Sequence, residues 1–146
     1  MDLFFKLFSK RIIVYVSPTM FTFRTKDNSF SIQPSVNVFE ENGEIKIFSI
    51  GENAPESEPG IKQINIFNEE VHLTERKNKP DFLQAFLEYC IGKIFQLKFL
   101  PQVRPVVFIL GSNKFDTLLC GFQKDILESA FRSAGASKVF FDRTEW

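Results

Sequence analysis

The sequence has little of what several classes of protein require. Two cysteines and one histidine in 146 residues are too few for a disulfide framework, a four-ligand zinc site or a site with several histidines. No apolar run approaches the roughly 18 residues that a membrane span needs. The 18 basic and 18 acidic side chains cancel, which argues against a nucleic-acid partner held by bulk charge. What remains is a single globular domain, expected in a reducing cytoplasm.

What the sequence has in excess is phenylalanine, with 19 copies. The apolar residues of the first half of the chain fall in short runs. Residues 12–16 form a continuous apolar run with β-branched members, which predicts a strand buried on both faces. A turn at Ser17-Pro18 and the alternating residues 21–24 then predict a half-buried partner strand.

The clearest local signal is a hairpin. Residues 36–40 and 45–50 flank Asn42-Gly43, a pair that tolerates the positive φ angles of a tight turn. Residues 51–60 contain two prolines, two glycines and three glutamates, a composition that predicts an irregular surface loop. The acidic run over residues 40–58 is most simply the solvated surface of this hairpin and loop.

A helix is predicted after this loop region. Residues 78–81 (NKPD) place a proline near the first helical position and an aspartate beside the positive end of the helix dipole. Apolar residues then recur at three- and four-residue spacing, which predicts a wide stripe that packs on a sheet. The members of this stripe are Phe82, Leu83, Phe86, Leu87, Cys90, Ile91, Ile94 and Phe95.

The chain ends with a predicted strand, helix and strand. Residues 106–110 predict a second fully buried strand, and residues 138–141 the last strand. Residues 116–134 predict the helix between them, with Gly135 as its C-terminal cap. The apolar stripe of this helix is Leu119, Phe122, Ile126, Ala130 and Phe131. The order of elements predicts an α/β sandwich with a mixed sheet, in which this last unit forms a parallel crossover.

Two stretches carry a family resemblance. Residues 135–140 (GASKVF) follow a helix, and residues 34–36 (PSV) precede the hairpin that leads to residues 50–54 (IGENA). Together they resemble the first subdomain of MreB, a bacterial actin homologue and rod shape-determining protein. The resemblance implies that residues 11–146 form a single actin-like (ribonuclease H-like) lobe, α/β in class, with a mixed sheet, β-hairpins and two main helices.

The resemblance also directs attention to a loop after the first strand. In the family this loop reads Asp-x-Gly-Thr and holds the phosphates and metal of ATP. The aligned residues here are Tyr15, Val16, Ser17 and Pro18, followed by Thr19. Tyr15 replaces the acidic residue, Ser17 replaces the glycine, and Pro18 removes a backbone N–H donor. Past the last strand the family has an acidic pair, where this chain has Arg143. The expectation is a degenerate nucleotide loop, with ATP and Mg²⁺ bound only if a second lobe is supplied in trans.

Residues 1–10 form a separate amphipathic segment with two interpretations. Apolar residues fall on one helical face and basic residues supply cationic head groups, a pattern typical of insertion at an anionic membrane surface, and the resemblance implies such a helix. The predicted contact residues are Leu3, Phe4, Phe5, Lys6, Leu7, Phe8 and Lys10. The alternative is that the same apolar residues cover the edge of the domain's own core.

The other residues that could take part in catalysis or binding are weaker candidates. His72 follows two glutamates but is more simply a solvated loop histidine. Cys120 has no basic neighbour to lower its thiol pKa, which favours a packing role. Residues 111–114 (GSNK) follow a predicted strand in the manner of a phosphate-binding turn, yet a lone glycine is weak evidence. Phe141 and Trp146 are candidates for an exposed contact patch.

These observations predict a truncated MreB-like protein of the bacterial cell-shape cytoskeleton that works by docking and is not an enzyme. Its partners would be a filament-forming actin homologue or a cell-shape complex, together with the anionic inner face of the cytoplasmic membrane. The competing interpretation is one lobe of a split actin-type ATPase. The third interpretation is a gene remnant or fragment that folds but has no function.

Overall fold

The computed structural model describes residues 11–67, 82–95, 104–111 and 121–144. Within these ranges no helix combines the length and apolarity needed to cross a bilayer. The elements are β1 (Arg11–Val16), β2 (Phe21–Arg24), β3 (Ser29–Ile32), β4 (Ser35–Glu41), β5 (Glu44–Ile50), β6 (Lys62–Asn65), α1 (Phe82–Phe95), β7 (Val106–Leu110), α2 (Gly121–Ser133) and β8 (Lys138–Phe141). This mixed α/β content confirms the predicted fold class. The predicted start of α1 at residues 78–81 and of α2 at residues 116–120 lies outside the described residues.

The larger sheet has five strands in the order β3-β2-β1-β7-β8. β1, β2 and β3 form an antiparallel meander, whereas β7 runs parallel to β1 and β8 runs parallel to β7. The crossover through α2 permits the parallel pairing of β7 and β8, because parallel neighbours need a long connection. The predicted mixed sheet and parallel crossover are therefore confirmed.

The predicted hairpin is confirmed, but it belongs to a second sheet. β4 and β5 pair across Asn42 and Gly43, which have φ angles of 55° and 80°. β6 pairs with the other side of β4, which gives a separate three-stranded antiparallel sheet. The sequence analysis missed β3 and β6. Each has only four residues, of which two in β3 and three in β6 are polar, and such short segments become strands by pairing with a neighbouring strand.

β1 is buried on one face only, which corrects the prediction of burial on both. Ile12, Val14 and Val16 are buried, Ile13 is half-buried and Tyr15 is 41% exposed. We call the side of Ile12 and Val14 the inner face and the side of Ile13 and Tyr15 the outer face. The buried residues of both helices share one core cluster with the inner-face residues, so both helices pack on the inner face. β7, by contrast, has buried residues on both faces, as predicted.

The two helices confirm one predicted stripe and correct the other. In α1 the buried residues are Phe86, Leu87, Cys90, Ile91 and Ile94. In α2 Leu127, Ala130 and Phe131 are buried, whereas Ile126, which the sequence analysis placed on the stripe, is 44% exposed. A shift of one position turns a helical side chain by about 100°, so the packing partner decides between Ile126 and Leu127.

Gly135 ends α2 as predicted. The Gly135 amide donates to the Arg132 carbonyl at 3.1 Å, and the Ala136 amide donates to the Phe131 carbonyl at 2.9 Å. This pair of bonds and the φ of 119° at Gly135 define a Schellman motif, which turns the chain directly into β8.

Candidate functional site

The candidate site lies where the parallel strands β1, β7 and β8 end. Tyr15 in β1 is level with Leu110 in β7, and Ile109 in β7 is level with Phe141 in β8. The residues after all three strands therefore meet at one side of the sheet, the side where ligands bind in open α/β sheets. We call this side the carboxyl edge. Of the predicted site residues, it contains Tyr15, Ser17, Pro18 and Thr19.

The turn between β1 and β2 is closed on itself by its own hydrogen bonds. The Ser17 amide donates to the Met20 carbonyl at 3.1 Å, and the Ser17 hydroxyl donates to the same oxygen at 2.9 Å. The Met20 amide in turn donates to Ser17 Oγ at 3.0 Å. Ser17 therefore takes part in three hydrogen bonds that hold the turn in one shape.

This closure decides which backbone donors the turn can offer to a ligand. The amides of Ser17 and Met20 are engaged within the turn, and Pro18 has no amide hydrogen. Within this turn, Thr19 is the one residue whose amide has no hydrogen-bond partner among the described residues. A phosphate cradle needs several backbone N–H groups that point at one anion, so the turn supplies one donor where several are required.

The side chains around the turn are neutral and largely apolar. Tyr15 is 41% exposed and Met20 is 45% exposed, and Pro18 lies between them in the chain. An open groove of about 380 Å³ continues from Met20 past Ile32 and Gln33 to Glu52. The turn after β1 therefore presents apolar side chains beside this groove, where a nucleotide-binding turn would present small residues and a carboxylate.

Gly111 brings the end of β7 against the end of β1. Its φ is +86°, and a Cβ atom at this position would lie 2.8 Å from the Val16 carbonyl oxygen. The sequence analysis noted Gly111 as part of a weak phosphate-binding pattern, and the structure gives this glycine a close backbone contact to make. The rest of that pattern, residues 112–114, lies outside the described residues.

Asp142 is a residue of the edge that the sequence analysis missed. It follows β8 directly with a φ of 60°, and its amide donates to the Ile109 carbonyl at 2.8 Å. Its carboxylate lies 3.5 Å from the Lys124 ammonium group of α2. The signal that could have found it is its place as the first residue after the last parallel strand, since the ends of parallel strands converge.

The edge has few of the groups that metal or nucleophilic chemistry requires. In the described part of the chain no three histidine, cysteine or acidic side chains form a group that could hold a metal ion.

Burial raises the pKa of the Cys90 thiol well above its usual range, so this α1 residue remains a neutral packing residue. Phe141 is half-buried against the core, which gives no support to its expected exposed patch.

The remaining predicted residues lie outside the described part. These are the membrane-contact residues Leu3, Phe4, Phe5, Lys6, Leu7, Phe8 and Lys10, and also His72, Cys120 and Trp146. Their roles stay predictions.

Comparison of the whole fold with solved structures shows which architecture this is. MreB5 of Spiroplasma citri bound to ADP superposes with a TM-score of 0.62 at 9% identity over 91% of this chain. A non-polymerising MamK mutant bound to AMPPNP superposes with a TM-score of 0.59 at 10% identity, also over 91% of this chain. The fold is actin-like. No protein-family model matches the sequence, and no curated protein matches it.

The chain corresponds to part of each neighbour. It spans 38% of the length of the MreB5 chain and 41% of the MamK chain. The likeness therefore concerns one lobe, as the sequence resemblance implied, and at these identities it establishes the fold alone.

Proposed function

We propose that this chain is an MreB-like, actin-fold component of the bacterial cell-shape cytoskeleton that acts by docking on a partner and not by hydrolysing ATP. Its partner would be a filament-forming actin homologue or a cell-shape complex. It would work in the cytoplasm, with residues 1–10 making weak, reversible contact with the anionic inner face of the membrane.

One observation supports the part of this proposal that denies ATP hydrolysis. The turn at Ser17–Met20 uses its amides on itself, as described above. Binding a triphosphate there would require these bonds to break and a carboxylate to replace Tyr15, which nothing in the turn provides. Loss of nucleotide binding leaves an actin-fold surface free for a purely structural role.

The docking role is supported by exposed apolar side chains at the carboxyl edge. Tyr15 and Met20 are among the most exposed large apolar residues of the described part, and they lie on the same edge. Exposed aromatic and methionine side chains are enriched in protein interfaces. The structural neighbours include MamK, for which a non-polymerising mutant is known, which supports another actin fold as the proposed partner.

We expect the full chain to show no binding of ATP with Mg²⁺, because the turn offers one free amide and no carboxylate. Isothermal titration calorimetry measures this directly, with MreB5, which binds ADP in its structure, as the positive control. Micromolar binding by this chain would contradict the proposal. Binding that appears only after a second lobe is added in trans would instead establish the split-ATPase interpretation.

We expect the chain to sediment with MamK filaments but not with the non-polymerising MamK mutant. A double variant, Tyr15→Ser with Met20→Ser, should bind roughly thirtyfold more weakly, since each buried anchor is worth about 1 kcal/mol or more and the pair about 2 kcal/mol. The matched control is Phe48→Ser, because Phe48 is 49% exposed but lies on the other sheet. If the chain stays in the supernatant with filaments, docking on this class of partner is wrong.

A further inference from the structure

The outer face of the five-stranded sheet is divided into a polar and an apolar half. On β2 and β3 it carries Thr22, Arg24 and Ser31, and the Thr22 and Ser31 hydroxyl groups are hydrogen-bonded at 2.8 Å. On β1, β7 and β8 it carries apolar side chains, apart from Arg11 and Lys138, which flank Val106 at the amino-terminal end. We call these the outer patch: Ile13, Val106, Phe108, Leu110 and Phe140.

The outer patch is buried at one end and open at the other. Val106 and Phe108, near the amino-terminal end of β7, are 0% exposed. Leu110, at the carboxyl end, is only half-buried, and its neighbour Tyr15 is 41% exposed. Along β7, burial therefore decreases towards the carboxyl edge.

The helices do not account for this burial. Among the described residues, and leaving proline aside, every buried apolar side chain except Val106 and Phe108 belongs to the core cluster that contains both helices. These two residues lie on the opposite side of the sheet. Another apolar element must therefore cover the end of the outer patch that is nearest to Arg11.

The β8 side of the patch is closed by residues near the end of the described chain. Phe140 stacks on Phe108 with ring centroids 5.3 Å apart, and the Arg143 guanidinium lies 4.0 Å from the centre of the Phe140 ring. Arg11 donates a hydrogen bond to the Thr144 carbonyl at 3.3 Å. The covering element is therefore confined to the strip of the patch that lies beside these residues.

We propose that residues 1–10 dock as an amphipathic helix on the outer patch, and that this docking competes with their contact with lipid. The segment is joined directly to Arg11 at the start of β1, level with the fully buried Val106 of β7. It would run antiparallel to β1, since its last residue must meet the first residue of that strand.

The dimensions of the segment and the patch agree. Because two or three residues must carry the chain from the helix down to Arg11, the helix has about seven or eight residues and is about 11 Å long and roughly 10 Å wide. Five residues of β7 extend for about 17 Å, and the spacing from β1 to β8 is roughly 10 Å. One short helix therefore fits the strip, and its apolar residues Leu3, Phe4, Leu7 and Phe8 match the apolar surface beneath.

The two contacts compete because residues 1–10 would use the same apolar side chains for the outer patch and for lipid. The same side chains cannot lie against Val106 and Phe108 and within a membrane at the same time, so lipid binding would require release from the sheet. Only this competition rests on the membrane contact proposed above. The docking rests on the burial of the outer patch.

The test uses methyl groups on the two faces as internal controls for each other. In methyl NMR spectra, Ile13 and Leu110 report on the outer face, while Ile12 and Ile109, one residue away on the same strands, report on the inner face. In a chain lacking residues 1–10, and in a Leu7→Asp variant, we expect the outer-face signals to move and the inner-face signals to stay. Stationary inner-face signals also establish that both variants fold.

Unmoved outer-face signals in both variants would overturn the docking, because another segment would then cover the patch. For the competition, isotropic bicelles containing anionic lipid should move the Ile13 and Leu110 signals of the full chain to their positions in the truncated chain. Bicelles of zwitterionic lipid should leave them in place. Binding to anionic bicelles without this change, or no binding at all, would overturn the competition, and the filament-docking assay remains an independent readout of the proposed function.

Discussion

Replacement of Phe21 by alanine is expected to lower the free energy of unfolding by about 3–5 kcal/mol, the usual cost of removing a fully buried phenylalanine. Phe21 is 0% exposed. Its ring centroid lies 5.5 Å from those of both Phe67 and Phe86 and 6.2 Å from that of Phe23. Through these contacts it joins the first hairpin to α1, so its loss leaves a cavity at the junction. Domains are typically stable by about 5–15 kcal/mol, which makes this a large fraction of the total.

Denaturant-induced unfolding, followed by far-UV circular dichroism, measures this effect. The matched control is Phe48→Ala, the same chemical change at a side chain that is 49% exposed, where we expect a loss of about 0.5 kcal/mol or less. Equal losses for the two variants would show that Phe21 does not pack as described. A change in the slope of the unfolding transition would indicate an effect on the denatured state as well.

Replacement of Gly111 by alanine is expected to destabilise the protein by about 2–5 kcal/mol. Part of this cost comes from the φ angle of +86°, since the left-handed region costs an L-residue about 1–2 kcal/mol. The rest comes from the Cβ atom, which would lie 2.8 Å from the Val16 carbonyl oxygen, and overpacking against an atom that cannot easily move adds about 1–3 kcal/mol.

Gly43→Ala separates the two contributions to this cost. Gly43 has a similar φ angle of +80°, but a Cβ atom there would meet nothing within 4 Å. Its replacement should therefore cost only the conformational part, about 1–2 kcal/mol. Thermal or denaturant unfolding of both variants gives the comparison. If Gly43→Ala proves as damaging as Gly111→Ala, the close approach of β7 to the end of β1 is wrong.

Local signals predicted the parts of the fold that depend on neighbours in the chain. The Asn42-Gly43 turn and the Gly135 cap need positive φ angles that few other residues adopt, and both are found as predicted. The apolar spacing of α1 likewise predicted its buried side, because a helix repeats its faces within a few residues.

Local signals failed where a distant partner decides the outcome. β3 and β6 exist because β2 and β4 offer them unpaired edges. In α2 the choice of Leu127 over Ile126 depends on which turn faces the sheet. Asp142 reached the candidate site only because β8 ends beside β7, a relation between residues more than thirty positions apart.

The sequence by itself determined that the turn after β1 lacks the groups that would bind a nucleotide and its metal ion. Tyr15 cannot organise a metal ion as an aspartate does, and Pro18 has no amide to donate, in whatever fold they occur. It also determined the α/β class with a mixed sheet, because the order of its strands and helices permits few arrangements in which each element buries its apolar side. The actin-like fold was implied only by the resemblance to MreB.

Only the tertiary structure decided how these residues are used. The contact of Gly111 with Val16 and the burial of one face of β1 both arise from strands brought together across long stretches of chain. The physical reason is that hydrogen bonding and burial depend on partners in space. An apolar run such as residues 12–16 records that a strand will form, but not which of its faces another element will cover.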